Sequence, residues 1–461
     1  RKVCGAACAA AVGASGLYVA VDERRRRFAR RGFQLAQLWG PTLYSREPVQ
    51  IAGRLDASGP VFIKLGQWLS SRRDLFSTEL CDAMAVLHEN VTCKESAADA
   101  GHVQQEVPGT RLEHLLGSGC IARVYRGSLQ GRPVAIKVRR ENVEDYLDLD
   151  LQLLRCAAEV VEFIKPEMKW LMLGKALDEF AHYMLSQTDF RNEAMNLRRF
   201  SELLSDSSRV PKVYAATESV LVMELIVGES LSTFLKRERD VARRHQVWSV
   251  LSDQTAKMVL KDNFVHADLH PGNIMVTFER VLGYRGFKVV PKLTFIDAGM
   301  AFEVPEATVH HLKKAMSSAV NYNAEALGQA FVDMHVEEGL CSQPPPALAG
   351  QLGVLGLCCV FTCDEPLWCQ VFSSRSEYLG ARTPEYFHRM ASLLTAHEVR
   401  VSPPLWSIMT SFALIEGSLH ELAGRTNVLR ACLPYLVASP TGLIKRVWGM
   451  ISCRLSESRV S

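Results

Sequence analysis

Two short stretches constrain the fold most. Residues 264–276 read FVHADLHPGNIMV, and residues 293–302 read LTFIDAGMAF. Pro271 cannot continue a helix and Gly272 frees the backbone, so HADLHPGN is a loop, left through the β-type run IMV. In the second stretch an apolar strand stops at Asp297, followed by a small residue and a glycine. The intervening TFERVLGYRGFKVVPK is long enough to form an extended hairpin tip. The loop has three readings: a zinc site built on His266 and His270, a structural turn, or a loop that carries chemistry. Pro271 and Gly272 break any helix that would gather the two histidines, and no third ligand is evident, so zinc is the poorest of the three.

The chain has 461 residues, which suggests two or three units rather than one. Its 48% hydrophobic and 22% charged content supports a sizeable core and argues against a chain dominated by disorder. A net charge of +3 argues against a dedicated nucleic-acid binder, which carries a strong basic excess. The 13 cysteines are scattered without a CxxC pair, as expected of free thiols in a reducing compartment.

The chain starts at Arg1 without a methionine, and a targeting segment is expected upstream. Residues 3–21, VCGAACAAAVGASGLYVAV, carry no charge and are followed by RRRR. As a helix they would measure roughly 28 Å, enough for a bilayer core. The arginines would then mark the side on which the rest of the chain lies. A cleaved segment or a buried Ala-rich helix are the alternatives. The run at 350–361 is too short to span, and 443–455 is either a terminal packing helix or a membrane-surface helix.

Residues 60–76 have helical periodicity, with Phe62, Leu65 and Leu69 on one side and Lys64, Gln67, Ser71 and Asp74 on the other. Further on, IARVYRG and PVAIKVRR form a hairpin about Gln130 and Gly131. The loop before it, with Gly117, Ser118, Gly119, Cys120, Ile121 and Ala122, is flexible enough to close over phosphates. A lysine held on the adjacent strand, Lys137, suits the α- and β-phosphates. Glu193, early in a helix over FRNEAMNLRRF, is the candidate to orient Lys137, and Asp189 either caps that helix or faces the nucleotide. After the strand at 219–223, Glu224 and Leu225 begin an extended connector whose backbone suits an adenine edge. Residues 303–440 read as mostly helical.

In this frame the opening loop acquires a role. Asp268 and Asn273 have the spacing of the HRDxxxxN catalytic loop of kinases, and Asp297 stands where such enzymes hold their metal-binding aspartate. Asp268 would take or orient the acceptor's proton. Asn273 and Asp297 would give Mg²⁺ the hard oxygen ligands it prefers.

The series KLGQ (64–67), VAIKV, FRNEAMN, VHADLHPGNIMV and FIDAGM resembles the UbiB family of atypical kinases, the aarF-domain-containing kinases, over roughly residues 45–440, and most resembles its mitochondrial membrane members. The resemblance implies an α+β, bilobal protein-kinase-like fold with an N-terminal helical KxGQ extension and a mostly helical C-lobe. The boundaries it suggests are 1–31 for the membrane-span candidate and basic flank, 32–108 for the extension, 109–228 for the N-lobe and 229–461 for the C-lobe. It implies that Lys64 and Gln67 face the nucleotide pocket. It also implies ATP or ADP with Mg²⁺, and kinase or ATPase chemistry without a protein acceptor. The expected partners are mitochondrial membrane lipids and coenzyme Q precursors or biosynthetic enzymes, at the inner membrane with the kinase domain facing the matrix. Two motifs depart from the family. Gly117 and Gly119 replace alanines and Arg123 a glutamine, and QTD (187–189) stands for ExD. A nucleotide-responsive scaffold without catalysis, and a soluble small-molecule kinase of the aminoglycoside or choline type, are the competing functions.

Overall fold

The computed structural model describes residues 23–40, 47–71, 78–87 except 86, 96–141, 143–164, 173–283, 286–321, 323–337 and 429–436, with a few isolated positions besides. The apolar run at 3–21, the segment at 443–455 and all of 350–361 but residues 351 and 352 lie outside the described residues. Among the described residues, no helix is long and apolar enough to cross a membrane. Most of 338–440, expected to be helical, is likewise outside the description.

In chain order the elements are α1 (Glu23–Trp39), α2 (Pro48–Ser58), α3 (Pro60–Ser71), α4 (Thr78–Ala85), α5 (Ala97–Glu106), β1 (Thr110–Ser118), β2 (Ala122–Leu129), β3 (Arg132–Arg139), α6 (Val143–Ile164), α7 (Leu173–Ser186), α8 (Phe190–Leu203), β4 (Ser208–Arg209), β5 (Val213–Ala216), β6 (Val220–Glu224) and β7 (Glu229–Ser230). They continue with α9 (Leu231–Arg237), α10 (Val241–Leu260), β8 (Phe264–His266), a 3₁₀ turn at Pro271–Asn273, β9 (Ile274–Gly283), β10 (Gly286–Phe295), β11 (Ala301–Glu303), α11 (Glu306–Val320), α12 (Ala324–Glu337) and α13 (Leu429–Leu436). Two compact units result. One comprises Arg1–Asn192 with Tyr214–Met223, the other Glu193–Val213 with Glu224–Ser461.

The first unit is built on a sheet of order β1-β2-β3-β6-β5. Gln130 and Gly131 both have positive φ, 50° and 81°, so the β2–β3 hairpin closes through a tight turn that matches strand twist, as the sequence suggests. Val134, Ile136 and Val138 alternate along β3 into a core shared with Val103, Tyr125, Val220 and Val222. The α2–α3 junction turns at Gly59, whose φ of 106° is open to glycine and costly for other residues. Helix α3 then buries Val61, Phe62, Ile63 and Leu65 in a second core with Leu147 and Leu151 of α6 and Phe180 and Met184 of α7. A Cβ on Gly66 would come 2.4 Å from Leu87 Cδ1 and 3.0 Å from Leu55 Cδ1, so the glycine of KLGQ lets those two leucines close against the helix.

A buried ion pair joins the first helix to this core. Asp150 of α6 is fully buried and accepts from Arg31 of α1 through Nε at 2.7 Å and Nη2 at 2.8 Å. Arg31 also donates to the Ser58 carbonyl. Burial still raises the Asp150 carboxyl above its ordinary value, against the pull of Arg31.

The second unit holds a sheet of order β4-β10-β9-β7 and the small β11-β8 pair. β9 and β10 pair in register from Ile274↔Phe295 to Gly283↔Gly286, which confirms the long hairpin expected between the two motifs. Ser230 caps α9 by accepting from the Thr233 N–H, and Asp240 caps α10 by accepting from the Ala242 N–H. Val259, Leu260, Val265, Val304, Val309 and Cys432 form the core beneath β8.

Candidate active site

In the first unit the glycine loop closes through the Gly119 N–H and the Ala122 carbonyl at 2.8 Å. Arg140, which sequence reasoning missed, holds the loop twice. Its backbone N–H donates to the Ile121 carbonyl at 2.8 Å, and its guanidinium donates to Ser118 Oγ at 2.6 Å. Cys120, Ile121 and Ala122 are buried, and Cys120 and Ile121 share the α3 core, so the KLGQ helix packs directly behind the loop. Burial raises the Cys120 thiol, while the nearby Lys64 and Arg140 cations oppose that rise. Lys64 is therefore near enough to Cys120 for its charge to act on the thiol. Gln67 uses its Nε2 to donate to the Leu87 carbonyl at 2.9 Å.

Arg123, in place of the family's glutamine, is held outside the loop. It donates to both oxygens of Asp99, at 3.0 and 2.9 Å, and the Tyr125 hydroxyl donates to the same carboxylate at 2.7 Å. Tyr125 titrates high, pushed up to about 12 by burial and by its bond to Asp99. Lys137 is half-buried on β3, its Nζ 5.5 Å from the Phe190 ring centroid. Asp189 caps α8, accepting from the Arg191 N–H at 2.9 Å, and the Arg191 side-chain bonds hold its carboxyl below the usual range. Capping is thus the reading of Asp189 that the structure supports.

In the second unit Glu193 is buried in the first turn of α8, 3% exposed. Glu224 accepts from Arg209 Nη1 at 2.9 Å, and its own N–H donates to the Lys212 carbonyl at 2.8 Å. That N–H is already used within the protein. Leu225 follows it outside any strand or helix.

The loop and the Asp297 segment are tied together at several points. β8 pairs with β11 through His266↔Ala301, and the Ala267 N–H donates to the Met300 carbonyl at 2.9 Å. The Ile296 N–H donates to the Asn273 carbonyl at 3.0 Å. His266 completes the tie. Its Nε2–H donates to the Asp297 carbonyl, and its Nδ1 accepts from the Asp268 N–H at 3.1 Å. It is 1% exposed, with its ring 5.7 Å from Phe200 and 6.4 Å from Phe295. Burial lowers its pKa, which favours the neutral ring that this pair of bonds requires. Both nitrogens are committed to backbone, which removes the zinc reading, and among the described residues no cluster of three or more His, Cys, Asp or Glu is placed to hold a metal.

The same segment positions the carboxylates. Asn273 Nδ2 donates to the Asp268 carbonyl at 3.1 Å, leaving the amide oxygen as the atom this side chain can offer a cation. Asp297 Oδ1 accepts from the Gly299 N–H at 2.9 Å, and Asn196 of α8 donates to the Ala298 carbonyl at 2.9 Å. His270 Nδ1 accepts from the Gly272 N–H at 3.1 Å, and a Cβ on Gly272 would lie 2.9 Å from His270 Cε1. One amide oxygen and one carboxylate, held by neighbouring backbone, make a donor set suited to Mg²⁺, which keeps water and phosphate oxygens for its remaining positions.

A profile of the ABC1 atypical kinase-like domain matches residues 111–331. A mitochondrial ABC1 family protein of Saccharomyces cerevisiae is 26% identical over 83% of this chain and 66% of its own length. A mitochondrial ABC1 family protein of Schizosaccharomyces pombe is 23% identical over 83% and 64%. A protein named for the UbiB kinase in Aeromonas salmonicida is 26% identical over 89% and 73%. The chain thus spans a little under two thirds of the yeast relatives it matches. Among solved structures, that of Rv3197 with erythromycin, from Mycobacterium tuberculosis, has a TM-score of 0.50 at 19% identity, covering 80% of this chain and 90% of that one, which supports the fold alone. These matches show that residues 111–331 are similar to the ABC1 atypical kinase-like domain, and that the chain is similar over most of its length to ABC1 family and UbiB proteins.

Proposed function

We propose that this chain is a mitochondrial, membrane-associated kinase or ATPase that binds Mg-ATP and supports coenzyme Q biosynthesis and lipid metabolism. The observation that carries the nucleotide reading is the tie of Asp268 to Asp297 through His266, with Asn273 bonded to the same segment through its own amide and the Ile296 N–H. Asn273 and Asp297 hold the cation, which when bound neutralises phosphate charge. Asp268 accepts or orients the proton of the attacking hydroxyl or water. The loop from Gly117 to Ala122 and Lys137 receive phosphates, with Glu193 as the proposed partner of Lys137. Glu224 and Leu225 border the base, and Lys64 and Gln67 close the pocket against a protein acceptor. The relatives' mitochondrial names support the organelle, and the UbiB name supports the quinone connection.

The test is nucleotide binding by titration calorimetry with and without Mg²⁺, in the parent and in Asp297→Asn. Loss of a cation ligand should weaken Mg²⁺-dependent binding at least about tenfold. Equal Mg-ATP affinity in the two proteins would refute the site.

A further inference from the structure

The β9–β10 hairpin outruns its sheet. Among the described residues, β7 pairs with β9 only at Met275 and Val276, and β4 pairs with β10 only at Leu293 and Thr294. Beyond that base the two strands continue as a ribbon to Gly283↔Gly286, a projection of about 20 Å at the usual rise per residue. The base is anchored. Phe278 lies 6.0 Å from Phe234, and the Arg243 guanidinium sits 5.2 Å over its ring.

Past Phe278 the character changes. Leu282 is 73% exposed and Phe287 75%, and Val281, Val289 and Val290 are exposed as well. The register distributes them over both faces. Leu282, Phe287 and Val289 share one face with Arg280, while Val281 and Val290 share the other with Lys288 and with Glu279, whose carboxylate is paired with Lys292 at 3.6 Å. A protein partner docking on a ribbon covers one face, and its interface core is depleted in lysine. Apolar side chains on both faces, with Arg280 on one and Lys288 on the other outside the Glu279–Lys292 pair, fit a medium that surrounds the tip and carries negative charge.

We propose that this ribbon is a membrane-contact finger that enters the headgroup layer of an acidic phospholipid bilayer. Leu282 and Phe287 reach toward the acyl boundary, and Arg280 and Lys288 extend back to lipid phosphates. The ribbon's unpaired edges need water or headgroup partners, so the insertion is shallow and does not span. The contact holds whether or not the chain transfers phosphate, so it stands or falls separately from the nucleotide site.

Residues 3–21 are apolar and offer a second route to lipid, so the readout has to be local. Hydrogen exchange is followed by mass spectrometry on the full chain, with vesicles of phosphatidylcholine alone or mixed with phosphatidylglycerol. Peptides covering 279–290 should gain protection with the mixed vesicles and much less with neutral ones. Arg280→Gln combined with Lys288→Gln should raise the lipid concentration needed for protection roughly 25-fold, at about fivefold per cation. Leu282→Ser combined with Phe287→Ser should raise it at least about tenfold on either lipid. All four side chains are exposed, so thermal unfolding of both variants should match the parent. Three results overturn the proposal: no protection with the mixed vesicles, equal protection in both variants, or protection that grows with protein concentration without lipid, which would make a second copy of the chain the occupant.

Discussion

His266 makes a sharp claim about acid stability. Its ring is 1% exposed, donates to the Asp297 carbonyl and accepts from the Asp268 N–H, and burial depresses its pKa below the ordinary value of 6.5. In the unfolded chain the imidazole titrates near that ordinary value. As pH falls below it, the unfolded chain binds the proton and the folded chain does not. The stability from the neutral ring is thus fully present above pH 6.5 and is lost as pH falls toward the depressed folded value, by up to about 1.4 kcal/mol per unit. Carboxylates held low by arginine bonds, such as Asp189 and Glu303, keep their contribution above the ordinary carboxylate range and lose it only at more acid pH. His266→Phe keeps a buried ring but strands two backbone groups, at a cost of about 2–5 kcal/mol in all. The assay is urea unfolding followed by circular dichroism at about pH 7.5 and about pH 5.5. The parent should lose about 1 kcal/mol between the two conditions, and His266→Phe should start lower and lose little. An equal pH-dependent loss in both proteins would refute the assignment of the neutral, doubly bonded imidazole.

Two further outcomes test the first unit. Gly127→Ala would place a Cβ 2.2 Å from the Arg111 carbonyl oxygen and 2.5 Å from Ile136 Cδ1. The first contact is to backbone within a strand pair, so thermal and urea unfolding should register a loss of about 3 kcal/mol or more, and a change within about 1 kcal/mol would show that β1 shifts freely. The Cys120 thiol, raised by burial, should alkylate slowly at neutral pH in peptide-mapped iodoacetamide labelling, and Lys64→Met should slow it further by removing a cation that favours thiolate. Equal or faster labelling in Lys64→Met would separate Lys64 from the glycine loop.

What the sequence made legible follows from range. The HADLHPGN loop, the Gln130–Gly131 turn, the long β9–β10 hairpin and the helices about Lys64 and Glu193 depend on spacing within a few residues, where periodicity, proline and glycine act. The Asp99–Arg123–Tyr125 cluster, the Arg140 clamp and the Arg31–Asp150 pair join residues about 20 to 119 positions apart, and no local pattern marks them. His266 was conspicuous for its chemistry but not for its role. A histidine beside an aspartate reads as a ligand until both nitrogens are seen bonded to backbone. The periodicity of 60–71 suggested a two-sided helix, whereas Val61 and Ile63 are buried as well as Phe62 and Leu65, because α2, α4 and α6 cover flanks that a lone amphipathic helix would leave wet.

The Arg31–Asp150 pair sets a limit on how the chain can be shortened. A fragment begun after residue 31 leaves the Asp150 carboxylate enclosed without its guanidinium, at a cost of about 3–5 kcal/mol. The Ser58 carbonyl at the end of α2 loses the same donor. An expression boundary drawn at the ABC1 match, or at the helices just ahead of it, would yield a domain with a weakened interior. One drawn ahead of Glu23 keeps the pair intact and can still omit the apolar run at 3–21.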